Sequence, residues 1–302
     1  MLSNFAAVIN KAKEFGPITI SVAAAQDQDV LLAVKAAGEA GLAQAILVGD
    51  ANEIRRLAKE VGLPEDITIV DRLDLKEAAK VAVSLVRSGR AQILMKGLIN
   101  TGDFLKAALK QDEGIRSGRL LSHLTCYEVP GEDKLIFYTD GGVNIAPGFE
   151  EKKDILANAL AALSDLGIKQ PNVAILAANE QVNPKMPATV DARALAELYA
   201  QNDDFSGIVE GPISMDVALS LEAASHKGII SNVSGNVDLF MVPNIEAGNL
   251  LSKALIHYAG FKIAGVILGA ISPIIMVSRS DTAQSKLSSI ALASLLANRM
   301  RR

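Results

Sequence analysis

Tryptophan is absent from this 302-residue chain, and aromatic residues make up only 4% of it. A core of that composition must be built from Ala, Val, Ile and Leu, which favours helices on a parallel sheet over an aromatic-rich β-sandwich. Cys126 is the single cysteine, so an internal disulfide and any multi-cysteine metal site are excluded. It lies in an apolar strand with nothing nearby in sequence to lower its pKa, and reads as core. The three histidines, His123, His226 and His257, are too scattered for a zinc spacing, so no metal is expected. Long apolar runs are lacking too: the region from Ile263 to Val277 is short for a bilayer and is broken by Pro273. Residues Met1 to Phe15 have no basic start before an apolar core and do not read as a signal peptide. A cytoplasmic protein off the membrane is expected. A net charge of −4 with interspersed signs argues against a nucleic-acid surface, but leaves room for a local cationic cluster facing a small anion. Neither a Gly-x-Gly-x-x-Gly fingerprint nor a Gly-x-Ser-x-Gly elbow is present.

What is present is a regular alternation of buried-strand and helix patterns. Ile18–Ala24, Ala45–Gly49, Ile67–Val70 and Ile93–Met95 read as strands, each followed by an amphipathic helix. This βαβα rhythm implies a parallel sheet covered on both faces, whose ligands bind at the carboxyl ends of strands. Leu121–Glu128 and Lys134–Asp140 break the rhythm and read as an antiparallel piece or a transition between domains. Alternation resumes with a helix over Glu150–Leu166, and later a single helix is expected over Met215–Ala224. The expectation is α/β, with a first domain of residues 1–139 plus 272–302 and a second of residues 140–271.

Several strand ends gather Gly and polar residues. The apolar run Ile274 to Val277 ends at Ser278-Arg279-Ser280-Asp281, where the last helix begins. Free backbone N–H groups at a helix start, with an arginine fork beside them, suit a phosphate. The same string also describes an N-cap, Ser280 or Asp281, with a surface arginine next to it. Lys96-Gly-Leu-Ile-Asn-Thr-Gly102 opens another helix. Asp103 and Phe104 follow in place of Lys-Ser/Thr, so it is no nucleotide P-loop; it is a ligand loop or a Gly turn with Thr101 as N-cap. Ser122-His123 reads as an acid–base pair or as a histidine held by backbone. In Tyr138-Thr-Asp-Gly-Gly-Val-Asn144, Asp and Asn have local backbone to bond, which is a structural alternative to a ligand turn.

Taken together with Glu210-Gly-Pro-Ile-Ser-Met-Asp216 and Pro243-Asn-Ile-Glu-Ala-Gly-Asn249, these segments resemble the phosphate acetyl/butyryltransferase family along essentially the whole chain, most closely its butyryltransferase branch. The resemblance implies two three-layer αβα domains with mainly parallel sheets, like isocitrate/isopropylmalate dehydrogenases, with the active site in a cleft and a homodimer or higher homo-oligomer. It implies reversible transfer of a short acyl group between CoA and phosphate in a ternary complex. CoA enters as acyl-CoA substrate, acyl phosphate is the other partner, and no cofactor is bound. By the same resemblance Arg279 would hold phosphate and Ser278 a reacting oxygen. Asn100, Thr101, Ser122, His123, Gly141, Gly142, Asn144 and Lys286 would contact substrate. The acetyl-specific branch carries an acidic base a little beyond the arginine; here that position is Ser285, beside Lys286, so the base role is not carried over. The rival readings are a metal-dependent dehydrogenase on the same fold and a non-catalytic protein that binds CoA or acyl phosphate.

Overall fold

The structure, a computed structural model, describes residues 2–276 and 282–300, without the side chains of 299 and 300. The chain divides into two compact units: Asn4–Arg119 with Ile263–Arg302, and Met1–Ser3 with Leu120–Lys262. In the first unit, α1 (Phe5–Lys13), β1 (Ile18–Ala23), α2 (Gln28–Glu39), β2 (Ala43–Gly49), α3 (Ala51–Val61), β3 (Thr68–Asp71), α4 (Leu75–Arg87), β4 (Ile93–Lys96) and α5 (Thr101–Ala108) alternate. The second unit carries β5 (Ser122–Glu128), β6 (Leu135–Thr139), α6 (Phe149–Asp165), β7 (Asn172–Leu176), α7 (Pro187–Ala200), β8 (Ile208–Ile213), α8 (Met215–Leu219), α9 (Leu221–His226), β9 (Leu239–Met241) and α10 (Ile245–His257). Then β10 (Lys262–Leu268), β11 (Ile274–Ile275) and α11 (Ala283–Met300) return the chain to the first unit.

Local chemistry accounts for several helix starts in the first unit. Asp27, Asp50 and Asp74 each precede a helix and accept first-turn N–H groups, from Val30 at 3.0 Å, Asn52 at 2.9 Å and Glu77 at 2.9 Å. Helix α3 buries Ala51, Ile54, Leu57, Ala58 and Val61, the spacing of one helical face. Strands β1 and β4 are buried almost throughout, as apolar runs covered on both faces must be.

The strand order in the first unit is β3-β2-β1-β4-β11-β10, parallel except for β10 against β11. Helix α11 packs on α1 and on α2, and α4 packs on α5. The order runs outward from β1 to β3 and then back to β4. The carboxyl ends of β1 and β4 are therefore the switch point at which such sheets take ligands. In the second unit the order is β5-β6-β9-β7-β8, with β5 antiparallel to β6 and the rest parallel.

The structure differs from the sequence expectation in four places. The β5–β6 pair falls in the second unit, so the first boundary lies at Arg119/Leu120 and not after residue 139; the second lies at Lys262/Ile263 and not after residue 271. The reason is pairing: β6 lies beside β9 in register Phe137↔Leu239, which fastens the hairpin to that sheet. The helix expected over Met215–Ala224 breaks at Ser220, which is extended and caps α9 by accepting from Ala223 N–H at 3.2 Å. The strand after Pro273 is only two residues long, and Val277 lies outside the described residues. Helix α1 lies where no element was expected.

Candidate functional site

At the switch point of the first unit, the chain leaving β4 is tied to the end of β1. Gly97 N–H donates to Ala23 O at 2.9 Å and Leu98 N–H to Ala24 O at 2.7 Å. Lys96 closes β4 with a side chain only 8% exposed, its Nζ 3.3 Å from Gly97 O. The N-cap of α5 is Asn100, not Thr101: its Oδ1 accepts from Asp103 N–H at 2.8 Å, and its Nδ2 donates to Asp103 Oδ2 at 2.6 Å. Asn takes the cap because its carbonyl reaches the third amide, and Thr101 becomes the exposed first residue of the helix.

Helix α11 brings Lys286, buried to 2% exposure, with Nζ 3.8 Å from Asp29 Oδ2 in the first turn of α2. Buried ammonium groups are costly unless partnered, and Lys286 has the Asp29 carboxylate beside it. Ser285 lies within hydrogen-bond distance of Thr282, Oγ to Oγ1 at 3.1 Å, and its N–H donates to the same Oγ1 at 3.1 Å. Ser278 and Arg279, with the possible caps Ser280 and Asp281, lie outside the described residues.

The second unit gathers Ser122, His123, Gly141, Gly142 and Asn144 where β6 ends and β5 begins. Asp140, only 2% exposed, organises this turn. Its Oδ1 accepts from Gly142 N–H at 2.9 Å and Val143 N–H at 3.0 Å, and its Oδ2 from Asn144 N–H at 3.2 Å and Asn144 Nδ2 at 2.6 Å. Asn144 Nδ2 also donates to Leu121 O at 2.8 Å, which uses both amide hydrogens and leaves that side chain's carbonyl as an acceptor. Thr139 Oγ1 donates to His123 O at 2.9 Å, a second tie between the turn and β5.

Two close approaches explain the Gly-Gly pair. A Cβ on Gly141 would stand 2.9 Å from the backbone of Gly248 in α10, and a Cβ on Gly142 would stand 2.6 Å from His123 Nδ1. Only hydrogen fits at either position. The imidazole therefore lies directly on the turn, with Nδ1 3.3 Å from Thr125 Oγ1.

Ser122 and His123 do not form the acid–base pair that their adjacency offers. Neighbouring residues of a strand point to opposite faces. Ser122 is fully buried, and its hydroxyl accepts from Asn158 Nδ2 at 3.1 Å, so it braces the interior. His123 is half-buried on the other face. Cys126 is core, as read from sequence, and burial pushes its thiol pKa well up.

A cavity of about 680 Å³ in the first unit and one of about 560 Å³ in the second are lined by none of the residues expected to contact substrate, although Glu210, Gly211, Pro212 and Ile213 of the Glu210–Asp216 segment line the second. Among the described residues no three His, Cys, Asp or Glu gather as a metal ion would require, and no helix is long and apolar enough to cross a membrane. The local backbone bonding of Asp140 was read from sequence as a structural alternative, whereas Asn158 was passed over and Gly248 was given no role of its own. An acidic residue two before a glycine is an Asx-turn signal that points to Asp140. Nothing local announces Asn158 or Gly248, which act across the fold.

Parallel α/β units with polar residues at their strand ends define a class that takes ligands at the carboxyl ends of strands. The family model described as "Phosphate acetyl/butaryl transferase" matches residues 65–294. The phosphate butyryltransferase of Clostridium acetobutylicum is 41% identical over 298 residues, 98% of this chain and 99% of the relative. A probable phosphate butyryltransferase of Bacillus subtilis is 44% identical over 286 residues, 95% of each chain. The crystal structure of a branched-chain phosphotransacylase from Enterococcus faecalis superposes with a TM-score of 0.81 at 35% identity, covering 92% of this chain and 99% of that one. The chain belongs to the phosphate acetyl/butyryltransferase family.

Proposed function

We propose that this chain transfers a short acyl group reversibly between CoA and inorganic phosphate, with butyryl-CoA and phosphate giving butyryl phosphate and CoA. Likeness to phosphate butyryltransferases along nearly the whole chain carries this reading. The transfer is a direct attack in a ternary complex. A phosphate oxygen adds to the thioester carbonyl, a C–O bond forms, the C–S bond breaks, and CoA leaves as thiolate to be protonated. Cys126 supports the direct route, because the one thiol of the chain is buried with a raised pKa and is unfit to carry an acyl group. No other acyl-carrying motif is evident in the sequence.

Arg279 holds phosphate, or the phosphoryl group in reverse, and Ser278 hydrogen-bonds the reacting oxygen. Asn100, Thr101, Gly141, Gly142, His123 and Asn144 contact the remaining substrate surface. Lys286, carried by α11 beside Asp29, assists phosphate or CoA. In the reverse direction the CoA thiol, with a free pKa near ~8.5, needs only a modest base. CoA enters as a substrate and not as a resident cofactor.

The protein works in the cytoplasm as a homodimer. Leu219, Leu221 and Ile230 in the second unit, 53%, 64% and 97% exposed, are apolar surface that a second copy would cover. The test is phosphate-dependent release of free thiol from butyryl-CoA, run on the dimer fraction from gel filtration. Release is expected. CoA binding without turnover would turn the reading to a regulator, reduction of NAD to a dehydrogenase, and activity confined to a monomer peak would remove the dimer.

A further inference from the structure

We infer that Asp140 is a positioning residue for acyl transfer: it holds Gly142 and Asn144 against His123 without touching substrate. The inference deepens the acyltransferase reading and rests on it. A buried carboxylate is tolerated only where donors replace its water, and here four hydrogen bonds from three consecutive residues do so. Those bonds turn the N–H groups of Gly142, Val143 and Asn144 inward. The Gly-Gly turn is thus no anion nest, since its amides already face a carboxylate; phosphate belongs with the cationic residues of the other unit. What the turn offers a substrate is shape and one imidazole.

The geometry couples the two. Asn144, gripped by Asp140 Oδ2, passes its second amide hydrogen to Leu121 O, two residues before His123. Gly142, gripped by Oδ1, lies so close to the His123 ring that a methyl group does not fit between them. One carboxylate therefore fixes both the floor under the imidazole and the strand that carries it.

Asp140→Asn tests this with little change of volume. The variant keeps an acceptor for Gly142 and Val143, and sets an amide NH₂ against the two donors of Asn144. Expected is a folded protein whose kcat for phosphate-dependent CoA release falls about tenfold to a hundredfold, the size of effect a small misplacement produces. The KM for phosphate should stay within about twofold, because the anion site is elsewhere. The His123 ring signal in a ¹H–¹³C spectrum should move in the variant. If Asp140→Asn does not fold, Thr139→Val cuts the parallel tie to His123 O and should give the same pattern with a smaller fall. An active wild type with an unchanged kcat and an unmoved His123 signal in the variant overturns the inference. So does a loss carried wholly by KM for phosphate or by a reduced folded fraction. A wild type that releases no CoA sinks the acyltransferase reading instead.

Discussion

At position 142 the absence of one carbon atom shapes the site. A side chain there would push the His123 ring off its contact with Thr125, so ring placement is set by packing as much as by hydrogen bonding. Arg279 presents the opposite case, a residue proposed to bind a ligand and not to support the core. Arg279→Ala should leave the fold intact and weaken phosphate use by about one to two orders of magnitude, the ~1.5–3 kcal/mol of a lost charge-assisted bond. Phosphate dependence measured in the folded variant checks it, and an unchanged KM removes Arg279 from the site. The contrast shows what was legible in the sequence at this scale. The buried thiol could be read from residue type and neighbours. The choice between ligand contact and brace at Ser122 could not, because it depends on Asn158, which lies 36 residues further along the chain.

Short elements of the second unit carry their own electrostatics. Ser214, at the start of α8, donates its hydroxyl to Glu180 or to Asp216, the latter at 2.5 Å, and Lys227 lies 3.1 Å from Glu180 Oε1 and 2.9 Å from Asp216 Oδ2. The Ser214 hydroxyl, and after it Lys227, lowers the Asp216 carboxyl from the usual 3.8 to about 2 and draws Glu180 down as well. A carboxylate with a lower pKa folded than unfolded stabilises the fold above its unfolded pKa, and that contribution is lost as pH falls through the folded value. Asp216→Asn should therefore lower the thermal midpoint near neutral pH by a small amount, given its exposure. The deficit should shrink between about pH 4 and about pH 2. A deficit independent of pH across that window would show that the carboxylate charge plays no part. The helix break beside this cluster explains why elements were only partly legible. Met215–Ala224 has the apolar spacing of one helix, but Ser220 is extended and its side chain caps α9. A cap inside a periodic run is visible only once the backbone is seen.

For the whole molecule, the alternating pattern announced the α/β class, because apolar strands and amphipathic helices differ in period. It did not show which sheet takes the β5–β6 hairpin, since pairing with β9 joins segments about a hundred residues apart. Acyl preference is of the same kind, set by side chains from distant parts of the chain that no local pattern brings together. Here the butyryl reading proposed above and the physics of a fitted apolar pocket set the expectation. Two similar proteins are named for butyryl transfer and a similar structure for branched chains. An added methylene in a fitted pocket contributes only ~1–3 kcal/mol. Discrimination should therefore be graded and not absolute. Butyryl-CoA and branched four- or five-carbon acyl-CoA should show the highest kcat/KM, propionyl-CoA less, and acetyl-CoA should fall below butyryl-CoA by at least about tenfold while remaining measurable. A series of kcat/KM values at saturating phosphate checks the order. Acetyl-CoA equal to or above butyryl-CoA would mean that the pocket is already filled at two carbons, and the butyryl assignment would give way to acetyl transfer on the same fold.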